Sequence, residues 1–213
     1  MSRVHISENA LARSLLDTIR DATTPPSHVR TLVNHLTFHL ILEASRDLDY
    51  QVRRIRTPVA ETDALTVAKP PVGVVILRAG LGMLPTFLQV FPHAQVGFLG
   101  IHRDESTLEP VTYYQRLPVS LSEQTVFVFD PMLATGGTAC ACLRLLQQRG
   151  AKDVSFLCLV GAPEGVQRLS SAGDVNIYLI SLDHGLSDRG YIVPGLGDAG
   201  DRLFPVDGWP ELP

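Results

Sequence analysis

Apolar residues near the N-terminus recur at helical spacing, with one interruption. The first helical pattern covers residues 7–23. Residues 24–27 break it with two prolines, and Ser27 is the predicted N-cap of a second helix that continues to about Tyr50. The pattern therefore predicts that residues 1–50 form a helical appendage to the main core.

The rest of the chain alternates short apolar runs with helical patterns. The runs predict buried strands at residues 72–77, 95–101, 125–129, 154–160 and 176–180. Helical patterns lie between them, through Phe87 and Val90, at residues 136–149 with Gly150 as the terminating residue, and at residues 164–171. This order predicts βαβ units and a mostly parallel sheet, which is an α/β fold. No repeat or linker divides the chain, so we expect one domain over residues 1–213.

Two polar stretches interrupt this alternation. Residues 51–71 are polar and rich in turn-forming residues, and no helix or strand is predicted there. Residues 102–118 are charged at first and then alternate through Val111, Tyr113 and Leu117. The second stretch therefore predicts a protruding hairpin or a mobile loop.

Charge and composition exclude several classes of protein. The chain has 18 basic and 22 acidic residues, a net charge of −4, whereas nucleic-acid binders usually carry an excess of Lys and Arg. No apolar run reaches the ~20 residues that span a membrane, and charges interrupt the region where a signal peptide would be apolar. Three cysteines are too few for a disulfide scaffold, so we expect free thiols and a cytoplasmic location.

The candidate chemistry lies in residues 130–138 (the 130–138 loop), between a predicted buried strand and a predicted helix. Ligands of parallel α/β sheets bind outside the carboxyl ends of strands, and a helix N-terminus favours phosphate. Gly136 and Gly137 allow close backbone approach, while Thr135 and Thr138 add hydroxyl donors. No lysine follows the glycines, so this is not the phosphate loop of nucleoside triphosphatases. The alternative interpretation is an ordinary capped helix start.

Four motifs, in order along the chain, resemble those of uracil phosphoribosyltransferases, which belong to the type I phosphoribosyltransferase family. They are ILRAGLGM at 76–83, RDESTLEP at 103–110 followed by Tyr113 and Tyr114, FDPMLATGGT at 129–138, and GYIVPGLGDAGDR at 190–202. The resemblance implies the type I phosphoribosyltransferase fold, a mostly parallel central sheet flanked by helices, with N-terminal helices and a protruding hairpin or flexible loop. It also implies the reaction of uracil with phosphoribosyl diphosphate (PRPP), which yields UMP and pyrophosphate in pyrimidine salvage.

The resemblance assigns roles to individual residues. The PRPP contacts it implies are Arg78, Arg103, Asp130, Pro131, Met132, Leu133, Ala134, Thr135, Gly136, Gly137, Thr138 and Asp198. The 130–138 loop would hold the ribose 5-phosphate, with Asp130 on the ribose hydroxyls, and the two arginines would contact the diphosphate. The implied catalytic residues are Asp198, Arg103 and Asp130. The residues 190–202 (the 190–202 segment) would bind uracil, largely through backbone groups, at Ile192, Gly197, Asp198 and Ala199.

The resemblance also implies a cofactor and an assembly. Mg²⁺ would be held mainly through PRPP, with no certain protein ligand, because Pro131 stands where many PRPP loops carry a second acidic residue. A homo-oligomer (a dimer or a tetramer) and, as in some relatives, activation by GTP are further expectations. Residues 205–213 differ from the short ending usual in the family, which leaves the packing of the C-terminus open.

Two other function classes stay open on the sequence alone. The same fold could serve an RNA-binding regulator of pyrimidine metabolism, although the net charge of −4 provides no evident basic face. It could also belong to a catalytically silent, nucleotide-sensing relative, although every residue implied for PRPP binding is present.

Three further patterns have simpler explanations. Residues 195–200 match the dinucleotide pattern G-x-G-x-x-G, but only 13 residues follow, too few for the rest of that unit. His35, His39 and Glu43 could bind zinc, but a solvated helix face is the preferred interpretation. Cys140 and Cys142 face opposite sides of a helix, so we expect packing or surface thiols.

Overall fold

A computed structural model of the protein describes residues 2–103 and 110–206. In this part of the chain the strands are β1 (Arg3–Ile6), β2 (Tyr50–Arg56), β3 (Glu61–Val67), β4 (Val72–Leu77), β5 (Val96–Arg103), β6 (Pro110–Arg116), β7 (Thr125–Phe129), β8 (Met132–Leu133), β9 (Asp153–Gly161), β10 (Asn176–Leu182), β11 (Gly185–Leu186) and β12 (Ile192–Val193). The α-helices are α1 (Ala10–Arg20), α2 (Pro26–Ala44), α3 (Leu84–Val90), α4 (Gly137–Gln148), α5 (Pro163–Ala172) and α6 (Ala199–Leu203).

The central sheet has the strand order β1-β10-β9-β7-β4-β5-β6, and the short strand β8 also pairs with β9. Every pairing is parallel except that of β5 with the edge strand β6. The mostly parallel α/β sheet predicted from the sequence is therefore confirmed. Because β4 and β7 are neighbours and parallel, their carboxyl ends meet at one edge of the sheet.

Helices cover both faces of this sheet and bury its strands. One core cluster joins residues of α1, α2 and α3 to the sheet, including Leu36, Phe87 and Phe129. The other joins α4 and α5 to the opposite face, including Leu143 and Leu169. Burial on both faces explains why the strands were visible as continuous apolar runs. None of the helices within the described ranges is both long and apolar enough to cross a bilayer.

The N-terminal prediction is wrong in part. Residues 3–6 form strand β1, which pairs in parallel with β10 at the sheet edge, and the first helix starts only at Ala10. Helix α2 begins at Pro26 after the N-cap Pro25, so Ser27 is inside the helix and does not cap it. The helix ends at Ala44, and a 3₁₀ turn follows. Because α2 packs on β9 and β10, the first 50 residues contribute to the central core.

Both polar stretches contain paired strands. Residues 51–71, where no element was predicted, contain most of the antiparallel hairpin β2–β3, which is exposed along most of its length. The hairpin predicted at 102–118 is the β5–β6 pair, and it extends the central sheet. Residues 104–109, in the predicted mobile segment, and residues 207–213, most of the tail, lie outside the described part of the chain.

Candidate active site

A cavity of about 430 Å³ lies at the carboxyl ends of β4 and β7. Its lining residues are Ile76, Leu77, Arg78, Ala79, Ile101, Tyr113, Asp130, Met132, Thr138, Asp198 and Gly200. A smaller cavity of about 160 Å³ adjoins it within the 130–138 loop and shares Asp130, Met132 and Thr138 with it. The structure therefore brings the 130–138 loop, the turn after β4 and the 190–202 segment to one cavity.

The 130–138 loop is attached to the sheet by its backbone. The Pro131 carbonyl accepts from the N–H groups of Leu159 and Val160 at 2.9 and 3.2 Å, and the Leu133 carbonyl accepts from the Ala162 N–H at 2.9 Å. Gly136 then adopts a φ of +75°, which lets the chain turn sharply into α4. The N-cap residue Gly136 has no side chain to cap the first turn of α4, and the N-terminus of this helix lines the cavity within the loop.

Helix α5, which the sequence pattern predicts at residues 164–171, supports this loop from behind, and no motif in the sequence indicated that contact. A Cβ atom built on Gly165 would lie 2.2 Å from the Ala134 carbonyl oxygen, so only glycine permits this approach. Arg168, one turn further along, is exposed and donates from Nη1 to the Thr135 carbonyl at 3.5 Å. The only sign of this contact in the sequence is a basic residue, Arg168, one helical turn after Gly165. Many surface helices have the same pattern, so it does not predict the contact.

Asp130 is largely buried at the start of the loop. Burial raises the pKa of its carboxyl to about 7, and the negative charge of Asp198 across the cavity acts in the same direction. The Met132 N–H, which lies 3.5 Å from Oδ1, opposes these effects only weakly. A carboxyl with this pKa is uncommon outside functional sites.

The 190–202 segment is linked to the turn after β4. Asp198 caps α6 by accepting from the Asp201 N–H at 3.0 Å. Arg78 donates from Nη2 to Asp201 Oδ1 at 2.9 Å. A Cβ on Gly80, beside Arg78, would lie 2.3 Å from the Phe129 carbonyl oxygen, so this glycine allows the turn to approach the end of β7. These contacts place Arg78, Asp130 and Asp198 around the same space.

Most of the residues implied for PRPP binding line the two cavities. Arg78, Asp198 and all but one residue of the 130–138 loop line the two cavities. Pro131 is the exception, because it is buried and its carbonyl is bonded to β9. Arg103 is the last residue of β5, and its side chain lies outside the described part of the structure.

The residues implied for uracil binding are less uniform in their positions. Asp198 lines the larger cavity. Ile192 is buried in the core, Ala199 is buried at the start of α6, and Gly197 is exposed with a φ of +76°. Ile192, Gly197 and Ala199 are not among the lining residues of the larger cavity. Any contact of these three residues with a base therefore remains a prediction.

The alternative sites from the sequence are not assembled as metal centres. His39 Nε2 lies 2.7 Å from the Ser7 hydroxyl, and over the described ranges His, Cys, Asp and Glu form no group of three or more that could hold a metal ion. Cys140 and Cys142 are both buried free thiols, and burial raises the pKa of each.

Comparison with known proteins identifies a family with this arrangement. A family model described as uracil phosphoribosyltransferase matches residues 6–205. The uracil phosphoribosyltransferases of Anoxybacillus flavithermus and Geobacillus kaustophilus are each 46% identical over 206 residues, which cover 96% of this chain and 99% of theirs. The solved AQ2163 protein of Aquifex aeolicus is 38% identical with a TM-score of 0.89, covering 97% of this chain and 100% of its own. An adenine phosphoribosyltransferase from Leishmania donovani, 14% identical with a TM-score of 0.54 over 84% of this chain and 83% of its own, shares the fold alone.

Proposed function

The chain belongs to the uracil phosphoribosyltransferase family, and from this premise we propose that its cavity binds PRPP and uracil side by side. The reaction transfers the phosphoribosyl group of PRPP to uracil and yields UMP and pyrophosphate. One observation carries the proposal: the 130–138 loop and the 190–202 segment contribute residues to the same cavity. A sugar phosphate on the first would therefore have its C1′ atom close to a base on the second.

The smaller cavity suits the 5-phosphate. The N–H groups in the first turn of α4 and the hydroxyls of Thr135 and Thr138 are all donors, which match phosphate oxygens. Asp130, at the junction of the two cavities, is an acceptor and matches ribose hydroxyls. This division of donors and acceptors supports the proposed orientation of PRPP, with its diphosphate toward Arg78.

The chemistry requires stabilisation of a cationic ribosyl group. The bond from C1′ to pyrophosphate breaks as the bond from uracil N1 to C1′ forms, and the N1 proton is released. Positive charge develops on the sugar, and the carboxylates of Asp130 and Asp198 line the space around it. Arg78 would stabilise the departing pyrophosphate, and Arg103 is proposed for the same role on the strength of the family resemblance.

The cavity residues fit a bound Mg²⁺. Asp130 and Asp198 offer carboxylate oxygens, which Mg²⁺ prefers. Since the described residues include no cluster of three acidic or metal-binding groups, we propose that the ion is held mainly through PRPP, with these two residues near it. When bound, the ion neutralises charge on the leaving pyrophosphate.

A direct assay tests the proposal. The purified protein is incubated with PRPP, Mg²⁺ and, in separate reactions, uracil, cytosine, hypoxanthine or orotate, and pyrophosphate release is followed. We expect product with uracil and none with the other bases, and loss of product when EDTA is added. Tight binding of RNA without product would instead favour the regulator, which the enzyme names of the relatives do not support.

Arg168 provides a prediction about the phosphate end of the cavity. The 130–138 loop contains no lysine, and Arg168 brings a positive charge to its Thr135 carbonyl. Arg168→Gln should therefore raise KM for PRPP about threefold to tenfold at low ionic strength, with a smaller effect in high salt. Arg144→Gln, which removes the same charge from the exposed side of α4, is the matched control. Equal effects of the two variants would contradict the assignment.

Assembly, activation and location are further proposals. The exposed hairpin β2–β3 carries apolar side chains such as Val52 and Leu65, at 67% and 68% exposure, which supports a homo-oligomer with this hairpin in the interface. Light scattering would give the subunit number. Activation by GTP rests on the family resemblance and is tested by adding GTP to the assay at subsaturating PRPP. Three free cysteines support a cytoplasmic location.

A further inference from the structure

A buried ion pair joins the N-terminal helices to the end of β10, outside the cavity. Arg20 donates from Nη1 and Nη2 to the two carboxylate oxygens of Asp183 at 2.7 and 2.6 Å. The side chains are only 13% and 2% exposed. Such a pair contributes little net stability, because both charges lose hydration when they are buried. The contacts of the pair therefore indicate its role better than its own contribution to stability does.

The pair holds both polar backbone groups of Gly195. The Gly195 N–H donates to Asp183 Oδ2 at 2.9 Å, and the Gly195 carbonyl accepts from Arg20 Nη1 at 2.5 Å. The Ser181 hydroxyl donates to the other Asp183 oxygen at 2.7 Å. Although burial acts to raise it, these hydrogen bonds from Arg20, Ser181 and Gly195 hold the pKa of Asp183 below its usual value, so the carboxylate is charged at neutral pH.

Gly195 is the turn from which the cavity-facing part of the 190–202 segment departs. Its φ is +61°, and a Cβ there would lie 2.1 Å from the Ile192 carbonyl oxygen, so this tight turn requires glycine. At the next residue, the Leu196 carbonyl accepts from Arg202 at 3.2 Å, and Arg202 also donates to the Ile19 carbonyl. The backbone at residues 195 and 196 is thus held against the C-terminal end of α1.

We propose that Arg20 and Asp183 are positioning residues for the base: they fix the backbone at Gly195, and this sets the path of residues 196–199, whose N–H and C=O groups meet the polar edge of a pyrimidine. The inference rests on the proposed function of this segment. Neither residue touches the substrate, and neither lies in a motif of the family resemblance. Recognition by main-chain groups tolerates little displacement, because a shift of about 1 Å breaks the hydrogen bonds.

The test compares Michaelis constants for the two substrates. Arg20→Lys keeps the positive charge but loses the bidentate contact with Asp183. Asp183→Asn keeps the shape of the side chain but loses its negative charge. Both variants should raise KM for uracil between about tenfold and a hundredfold, while KM for PRPP and the direct binding of PRPP stay within about twofold. Arg46→Lys, which alters an exposed ion pair with Glu43, is the matched control and should change neither constant.

Each outcome of this test decides the proposal. A selective rise in KM for uracil supports it, and unchanged constants or an equal rise for both substrates overturn it. If Arg20→Lys and Asp183→Asn do not fold, Ser181→Ala tests the proposal instead. This variant removes one hydrogen bond to Asp183 and leaves the ion pair in place. It should raise KM for uracil about threefold and leave KM for PRPP unchanged. Wild-type protein that does not convert uracil would instead refute the proposed function itself.

Discussion

Asp130→Asn should reduce kcat/KM for PRPP by about 10²-fold or more and yet make the protein more resistant to unfolding at pH 8. The loss of activity follows because an amide accepts weaker hydrogen bonds from ribose hydroxyls and provides no negative charge for a cationic sugar. Steady-state kinetics with uracil and PRPP would measure it. Asp188→Asn, on an exposed residue, is the control for loss of a carboxylate.

The gain in stability has a definite sign and pH range. The pKa of Asp130 is raised from 3.8 to about 7 in the folded protein, so the folded state keeps a proton that the unfolded chain has already released. The free energy of unfolding therefore falls as pH rises from about 4 to about 7, and the full penalty applies above that range. Asp130→Asn removes this penalty, which we expect to be on the order of 1–3 kcal/mol at pH 8. Thermal unfolding at pH 5 and pH 8 would measure it, and a variant less stable than wild type at pH 8 would contradict the argument.

The same carboxyl predicts the pH dependence of activity. If ionised Asp130 accepts the ribose hydroxyls, kcat/KM for PRPP should increase with pH through about 7 and then level off, since this ratio reports groups of the free enzyme. The residual activity of Asp130→Asn should lack that increase. An identical profile in both proteins would assign the titration to another group.

Gly165→Ala should raise KM for PRPP about tenfold or more, although Gly165 lies outside every motif that the resemblance identified. The added methyl group would lie 2.2 Å from the Ala134 carbonyl oxygen and 2.7 Å from that of Leu133, which are backbone atoms of the 130–138 loop. Because the loop is bonded to β9 and cannot shift freely, either it or α5 must move, and the phosphate contacts lose their alignment. The kinetics of PRPP use would show the effect.

The control for this substitution lies at the other end of α5. Gly173→Ala is the same chemical change, but its methyl group would meet the end of the flexible Gln147 side chain at 2.5 Å, and that side chain can move aside. It should leave KM for PRPP within about twofold of wild type. If both variants impair PRPP use equally, the loss reflects general destabilisation and the argument from loop contact fails.

The sequence determined the strands that are buried on both faces. Strands β4, β7 and β9 are covered on both faces, so their apolar runs were visible and their bounds were predicted to within one residue. The 130–138 loop was also visible, because a strand end followed by threonines and glycines is a local pattern. By contrast, all four residues of β1 are exposed at the sheet edge, and β2–β3 is a solvated hairpin. Neither therefore has an apolar run to mark it.

Only the tertiary structure decided what surrounds the site. Gly165 reaches the 130–138 loop because α5 packs behind it, and Arg20 reaches Asp183 across 163 positions of sequence. The raised pKa of Asp130 likewise depends on burial and on Asp198, which lies in a distant part of the chain. Local residue patterns report local backbone preferences and burial, whereas contacts between remote segments arise only when the helices dock on the sheet. The sequence thus predicted the phosphate-binding chemistry of the 130–138 loop. It did not predict which helix packs behind the loop or how far the pKa of Asp130 is raised.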